Sequence, residues 1–77
     1  MLLNKDIGDA RKYLTDSERS EAIGLAKRNR TVYEDKRLIK LYIKERKFSN
    51  VPVSCFDEEH ELFTHMLITA LAYFKTL

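Results

Sequence analysis

Apolar and polar positions along the 77-residue chain alternate with different periods in different stretches. Leu3, Ile7, Ala10 and Leu14 recur at helical spacing with Tyr13 beside them, which predicts a first helix from Leu3 to Leu14. Gly8 weakens it, because glycine costs ~1 kcal/mol against alanine inside a helix. Thr15-Asp16-Ser17-Glu18 has the spacing of a capping box and predicts a second helix from Asp16 to about Asn29. Its apolar stripe is narrow, with Ala22, Ile23, Leu25 and Ala26, and Lys27, Arg28 and Arg30 suit the negative end of its dipole. At the other end of the chain, Phe63, Met66, Leu67, Ala70, Leu71, Phe74 and Leu77 recur at three and four, behind an acidic start at Asp57, Glu58, Glu59 and Glu61. That is an amphipathic helix. Ile68 and Ala72 lie off its main face, and Leu62 and Tyr73 sit at the opposite edge, so its wide apolar arc suggests a central helix covered on two sides or one that also meets another chain.

Residues 31–56 admit two readings. Ile39, Leu41 and Ile43 alternate with Lys40, Tyr42 and Lys44, a period of two with β-preferring Ile and Tyr. Ser49-Asn50 has turn chemistry, and Val51 to Phe56 then reads as a second strand with Pro52 at an edge. Against this, Thr31-Val32-Tyr33-Glu34 is another capping-box pattern, followed by good helix formers. The hairpin reading gives an α+β fold: two N-terminal helices, a β-hairpin, and a long C-terminal helix packed on it. Ile39, Leu41, Ile43, Val51, Val53 and Phe56 would then face Phe63, Met66, Leu67, Ala70, Leu71 and Phe74. The helix reading gives an all-α four-helix bundle. Either way the length predicts one small domain over 1–77.

Composition narrows the class. Apolar residues make up 44% and charged residues 34%, with two Gly, one Pro and one Cys. This argues against disorder, collagen-like repeats and a disulfide scaffold. No run approaches the ~18 apolar residues of a membrane span, and the N-terminal residues show no secretory pattern. The expectation is a small soluble protein of the cytoplasm. The net charge is only +2, yet it is unevenly spread: residues 27–47 carry nine basic and three acidic groups.

Candidate chemistry is sparse. Cys55 with His60 or His65 lacks the surroundings of a cysteine enzyme and reads as a small buried thiol. The two histidines, five apart, point ~140° away from each other on a helix and do not converge on a metal ion. Gly8 and Gly24 cannot form a phosphate-cradling loop, and the carboxylates at 57–61 are explained by a helix start. The chain is therefore expected to be no enzyme and to use no cofactor or metal. The functional candidate is the basic segment. On a strand and turn, Lys40, Tyr42, Lys44 and Arg46 project to one side, with Lys36, Arg37 and Lys47 flanking them. Such a face meets an acidic patch on a protein, or a phosphate backbone with Tyr42 stacking on a base. Leu62, Ile68, Ala72 and Tyr73 are the candidate face for a homo-oligomer.

The stretch Ile39-Lys40-Leu41-Tyr42-Ile43-Lys44-Glu45-Arg46, followed by Asn50, Phe56, the acidic run, Leu62-Phe63 and Met66, resembles the small coliphage inhibitors of the host dGTP triphosphohydrolase. The resemblance covers residues 39–71 across a gap of two residues, mostly at apolar positions, and does not extend to the N-terminal half. It implies a phage-encoded protein that disables a host protein by binding it, with the hairpin and last helix as contact elements.

Overall fold

The computed structural model describes residues 13–77. The helix expected over Leu3–Leu14 lies outside the described residues apart from its last two, Tyr13 and Leu14, which form a bend. Three α-helices follow: α1 (Asp16–Ala26), α2 (Val32–Arg46) and α3 (Glu61–Lys75), with a short 3-10 turn (Val53–Phe56) before α3. Among the described residues there is no strand, so the α+β expectation is corrected to an all-helical packing.

α1 starts where the capping box predicts. The Thr15 hydroxyl accepts the Glu18 N–H at 3.1 Å, and Glu18 accepts the Thr15 N–H at 3.0 Å. The helix ends earlier than expected, at Ala26, and Arg30 takes over its exposed end. The Arg30 guanidinium donates to the carbonyls of Leu25 (2.9 Å) and Arg28 (2.7 Å), while its Nε donates to Asp35 on α2 (2.6 Å). One side chain thus closes α1 and ties it to the first turn of α2.

The segment expected as a hairpin is α2 and the loop beyond it. Thr31 and Glu34 exchange both capping-box bonds at 3.1 Å. Five alternating residues cannot by themselves distinguish a strand from a helix, because Ile39 and Ile43, four apart, share a helical face too. Extending the pattern decides it. Leu38, Leu41, Tyr42 and Glu45 fall at three and four, and all are buried together with Ile39. Lys47 then adopts the left-handed conformation (φ 55°, ψ 38°), and the Phe48 N–H closes onto the Ile43 carbonyl at 3.1 Å. Pro52 leads into the 3-10 turn rather than an edge strand, and Val53, expected in the core, is 85% exposed. Val51 and Phe56 are only half-buried.

α3 begins at Glu61, later than the acidic run suggests. Asp57 accepts the Glu59 N–H in a turn of its own, and His60 caps the helix by accepting the Leu62 N–H on Nδ1 at 3.0 Å. All three helices touch one another, and the 3-10 turn rests on α2 and α3. The main core joins Leu14, Ala22, Leu25, Ala26, Leu38, Leu41, Tyr42, Ala70 and Phe74. Alanines at 22, 26 and 70 let the backbones approach, and each large side chain fully removed from water contributes ~1.5–3 kcal/mol.

One carboxylate is sealed inside. Glu45 is 1% exposed and accepts two bonds from the Arg19 guanidinium (2.6 and 3.1 Å) and one from the Tyr73 hydroxyl (2.7 Å). Its donors come from α1 and α3, so the network joins all three helices.

Candidate protein-binding groove

Ion pairs fix how α1 lies on α2. Arg28 pairs with Glu34, Arg37 with Glu21 and Lys44 with Glu18. As α2 advances, its partners move back towards the start of α1, so the two helices are antiparallel. An open groove of about 790 Å³ runs along one side of them. From α1 it receives Ser20, Glu21, Gly24 and Leu25, and from α2 Tyr33, Glu34, Lys36, Arg37 and Lys40; Arg28 and Phe56 complete it.

The spacing explains the convergence. Positions 33, 36, 37 and 40 share one helical face. Tyr33 is 83% exposed, and Phe56 presents its ring to the Lys40 ammonium, 5.9 Å from the centroid. Gly24 is exposed and leaves the α1 side of the groove open, since a Cβ added there would meet nothing within 4 Å. The volume lies in the range of ordinary ligand clefts.

Charge in the groove is interleaved rather than uniform. Arg28 donates to Glu34 at 2.7 and 3.3 Å, and Arg37 to Glu21 at 3.0 and 3.1 Å. Lys36 pairs with Glu58 at 2.8 Å. The Arg28 guanidinium, helped by the Thr31 N–H, holds Glu34 down to about 2. Arg37 lowers Glu21 and Lys36 lowers Glu58 in the same direction. These carboxylates remain ionised at neutral pH. Among the described residues, Lys40 is the groove cation that forms no ion pair.

The four residues expected on one face and the three flanking them are divided. Lys36, Arg37 and Lys40 do come together in the groove. Tyr42 does not: it is 6% exposed and packs its ring against Phe48, Tyr73 and Phe74. On a helix two positions turn the chain by ~200°, so Tyr42 points away from Lys40. Lys44 is occupied by Glu18 at 2.9 Å, Arg46 lies over the rings of Phe48 and Tyr73, and Lys47 lies 4.8 Å over the ring of Tyr13. Tyr33, Arg28 and Gly24 were not foreseen, although Tyr33, Lys36, Arg37 and Lys40 stand at helical spacing once the Thr31 capping box is taken as a helix start.

The expected oligomer face is likewise divided. Ile68 is 61% exposed and shares the outer side of α3 with exposed Ala72. Leu62 is half-buried, and Tyr73 turns inward to Glu45.

Cys55 is buried, the His60 ring is used as a cap, and His65 is exposed. Among the described residues no group of three His, Cys, Asp or Glu could hold a metal ion. No described helix is long and apolar enough to cross a membrane. Comparison of the chain with protein-family models, curated proteins and solved structures gives no match.

Proposed function

We propose that this chain is a non-enzymatic protein-binding module, acting in the cytoplasm as an inhibitor or regulator of a host protein in the manner of phage takeover proteins. The observation that carries the reading is the groove between α1 and α2, where an exposed Tyr33 and the ring of Phe56 stand among Arg28, Lys36, Arg37 and Lys40. Aromatic and arginine side chains are the usual anchors of protein contacts. The resemblance of residues 39–71 to phage inhibitors favours a host protein as partner but not the contact elements it implies, because the expected hairpin is a helix and the groove lies on α1 and α2.

Nucleic-acid binding is the second reading, favoured by the same cations and by Tyr33 as a stacking ring. The interleaved carboxylates weigh against it. A phosphate backbone laid along the groove would pass Glu21 and Glu34, and each would repel it.

Two measurements separate the readings. Affinity capture with the wild-type chain and with Lys40→Glu as baits is expected to return a stoichiometric protein that only the wild type retains. Titration of fluorescent single- and double-stranded oligonucleotides between about 50 and 200 mM salt is expected to show no tight binding. Tight binding that falls steeply with salt, with no captured protein, reverses the ranking. Inhibition of a purified bacterial dGTP triphosphohydrolase tests the enzyme that the resemblance implies.

A further inference from the structure

Resting on that reading, we propose that the groove accepts a short segment of the partner carrying one acidic side chain next to one apolar side chain, with the acid on Lys40 and the apolar group over Gly24.

The charge pattern defines the acidic half. Arg28, Arg37 and Lys36 already have carboxylate partners, at 2.7, 3.0 and 2.8 Å. A ligand using those cations must break existing pairs or add a second anion beside the first. Lys40 has no such competitor among the described residues, and its only close aromatic neighbour is Phe56. A ring face attracts an ammonium without neutralising it. The groove therefore has room for one additional negative charge, at one place. A chain of phosphates brings several, whereas a single Asp or Glu brings one.

Gly24 defines the apolar half. A glycine inside a helix costs ~1 kcal/mol against alanine. No turn or positive φ requires one here, because no described glycine has a positive φ. The missing side chain instead leaves open space on the α1 side of the groove, whose lining also includes Leu25, Tyr33 and Phe56. An aliphatic or aromatic side chain entering that space would exchange water for apolar contact. The stretch of α2 from Tyr33 to Lys40 is ~10 Å long, which spans two helical turns or about three extended residues. In an extended partner segment the acid and the anchor thus lie within about four positions of each other.

Selection of displayed random dodecapeptides on the immobilised full chain, followed by titration of the selected peptides in solution, tests the inference. The expected winners carry Asp or Glu within four positions of Leu, Ile, Met or Phe, and shift the amide resonances of Gly24 and Lys40. Their affinity is expected to fall about tenfold or more in Lys40→Glu and comparably in Gly24→Gln, whose side chain occupies that space. It is expected to hold in Lys75→Glu, at the far end of α3. Circular dichroism melting of Gly24→Ala reports whether α1 tolerates a side chain at that position, separating occlusion from misfolding. Winners without an acidic residue, winners indifferent to Lys40→Glu, or no winner of micromolar affinity would each overturn the inference. Winners that bind elsewhere on the surface overturn the groove alone and leave a protein-binding module standing. Oligonucleotides that bind tightly where no peptide does remove both.

Discussion

Glu45 places a full negative charge where water cannot reach it, and the neighbouring donors decide whether the fold tolerates it. The Arg19 guanidinium approaches from α1 and the Tyr73 hydroxyl from α3. Removing one partner from a buried pair is costly because the remaining charge stays buried. Arg19→Met is expected to cost about 3 kcal/mol in urea unfolding, and Tyr73→Phe about 1.5 kcal/mol, since it deletes one bond to a charged acceptor. The double change Arg19→Met with Glu45→Leu is expected to recover part of the loss, because no buried carboxylate is then left without its guanidinium, although the Tyr73 hydroxyl loses its acceptor. Little of this is legible in the sequence. The partners stand 26 and 28 positions from Glu45, and no local pattern joins them. Tyr42 misleads for a related reason. Beside Lys40 and Lys44 it looks like part of a cationic face, and only the helical period sends it to the core.

Local signals at the helix ends are read more securely. Both capping boxes close as their spacing requires, since reach along the backbone is all they need. Thr31→Ala is expected to cost about 1 kcal/mol, measured by thermal melting, because α2 loses a bond at its start. At the far end of α2, Lys47 occupies a left-handed conformation that favours glycine, so Lys47→Gly is expected to stabilise the fold by about 1 kcal/mol. The same ends carry the acid sensitivity. Glu18 is lowered from 4.5 to about 2, chiefly by the Thr15 N–H and then by Lys44, and Glu34 is lowered to about 2 by Arg28. Between about 4.5 and about 2 the unfolded chain binds protons that the folded chain does not. Their stabilisation is therefore complete above about 4.5 and is lost as pH falls towards 2. A melting temperature flat from pH 5 to 7 and declining below 4.5 is expected, with a shallower decline in the Glu18→Gln and Glu34→Gln double variant. α2 itself was the element least legible, because its alternating residues satisfy a strand and a helix equally until Leu38 and Glu45 are included.

Across the molecule, packing redistributes the charge that is segregated along the chain. The basic segment 27–47 finds Glu18 and Glu21 on α1 and Glu58 ahead of α3, besides Glu34 and Asp35 within itself. The uneven charge of the sequence therefore does not become one bare cationic face. Apart from the half-buried Arg30–Asp35 pair, these are exposed pairs worth ~0–1 kcal/mol each, so they guide alignment more than they add stability. Arg37→Glu is expected to lower the melting temperature modestly by setting two carboxylates together. Adding Glu21→Arg is expected to restore it, which reports that positions 21 and 37 face each other across α1 and α2. The all-helical arrangement was visible in the sequence as the second of two readings. The groove was not, because it needs Gly24, Tyr33 and Phe56 brought together from three separate stretches.

The Glu45 network also bears on the handedness of the bundle. Three short helices can be wound with the third on either side of the first two, and greasy contacts distinguish the mirror topologies poorly. A carboxylate that must receive one donor from each neighbouring helix is satisfied by a single winding. We expect the apolar double replacement at 19 and 45 to remain folded and helical yet to show broadened or duplicated amide resonances, the mark of a chain that no longer selects one topology.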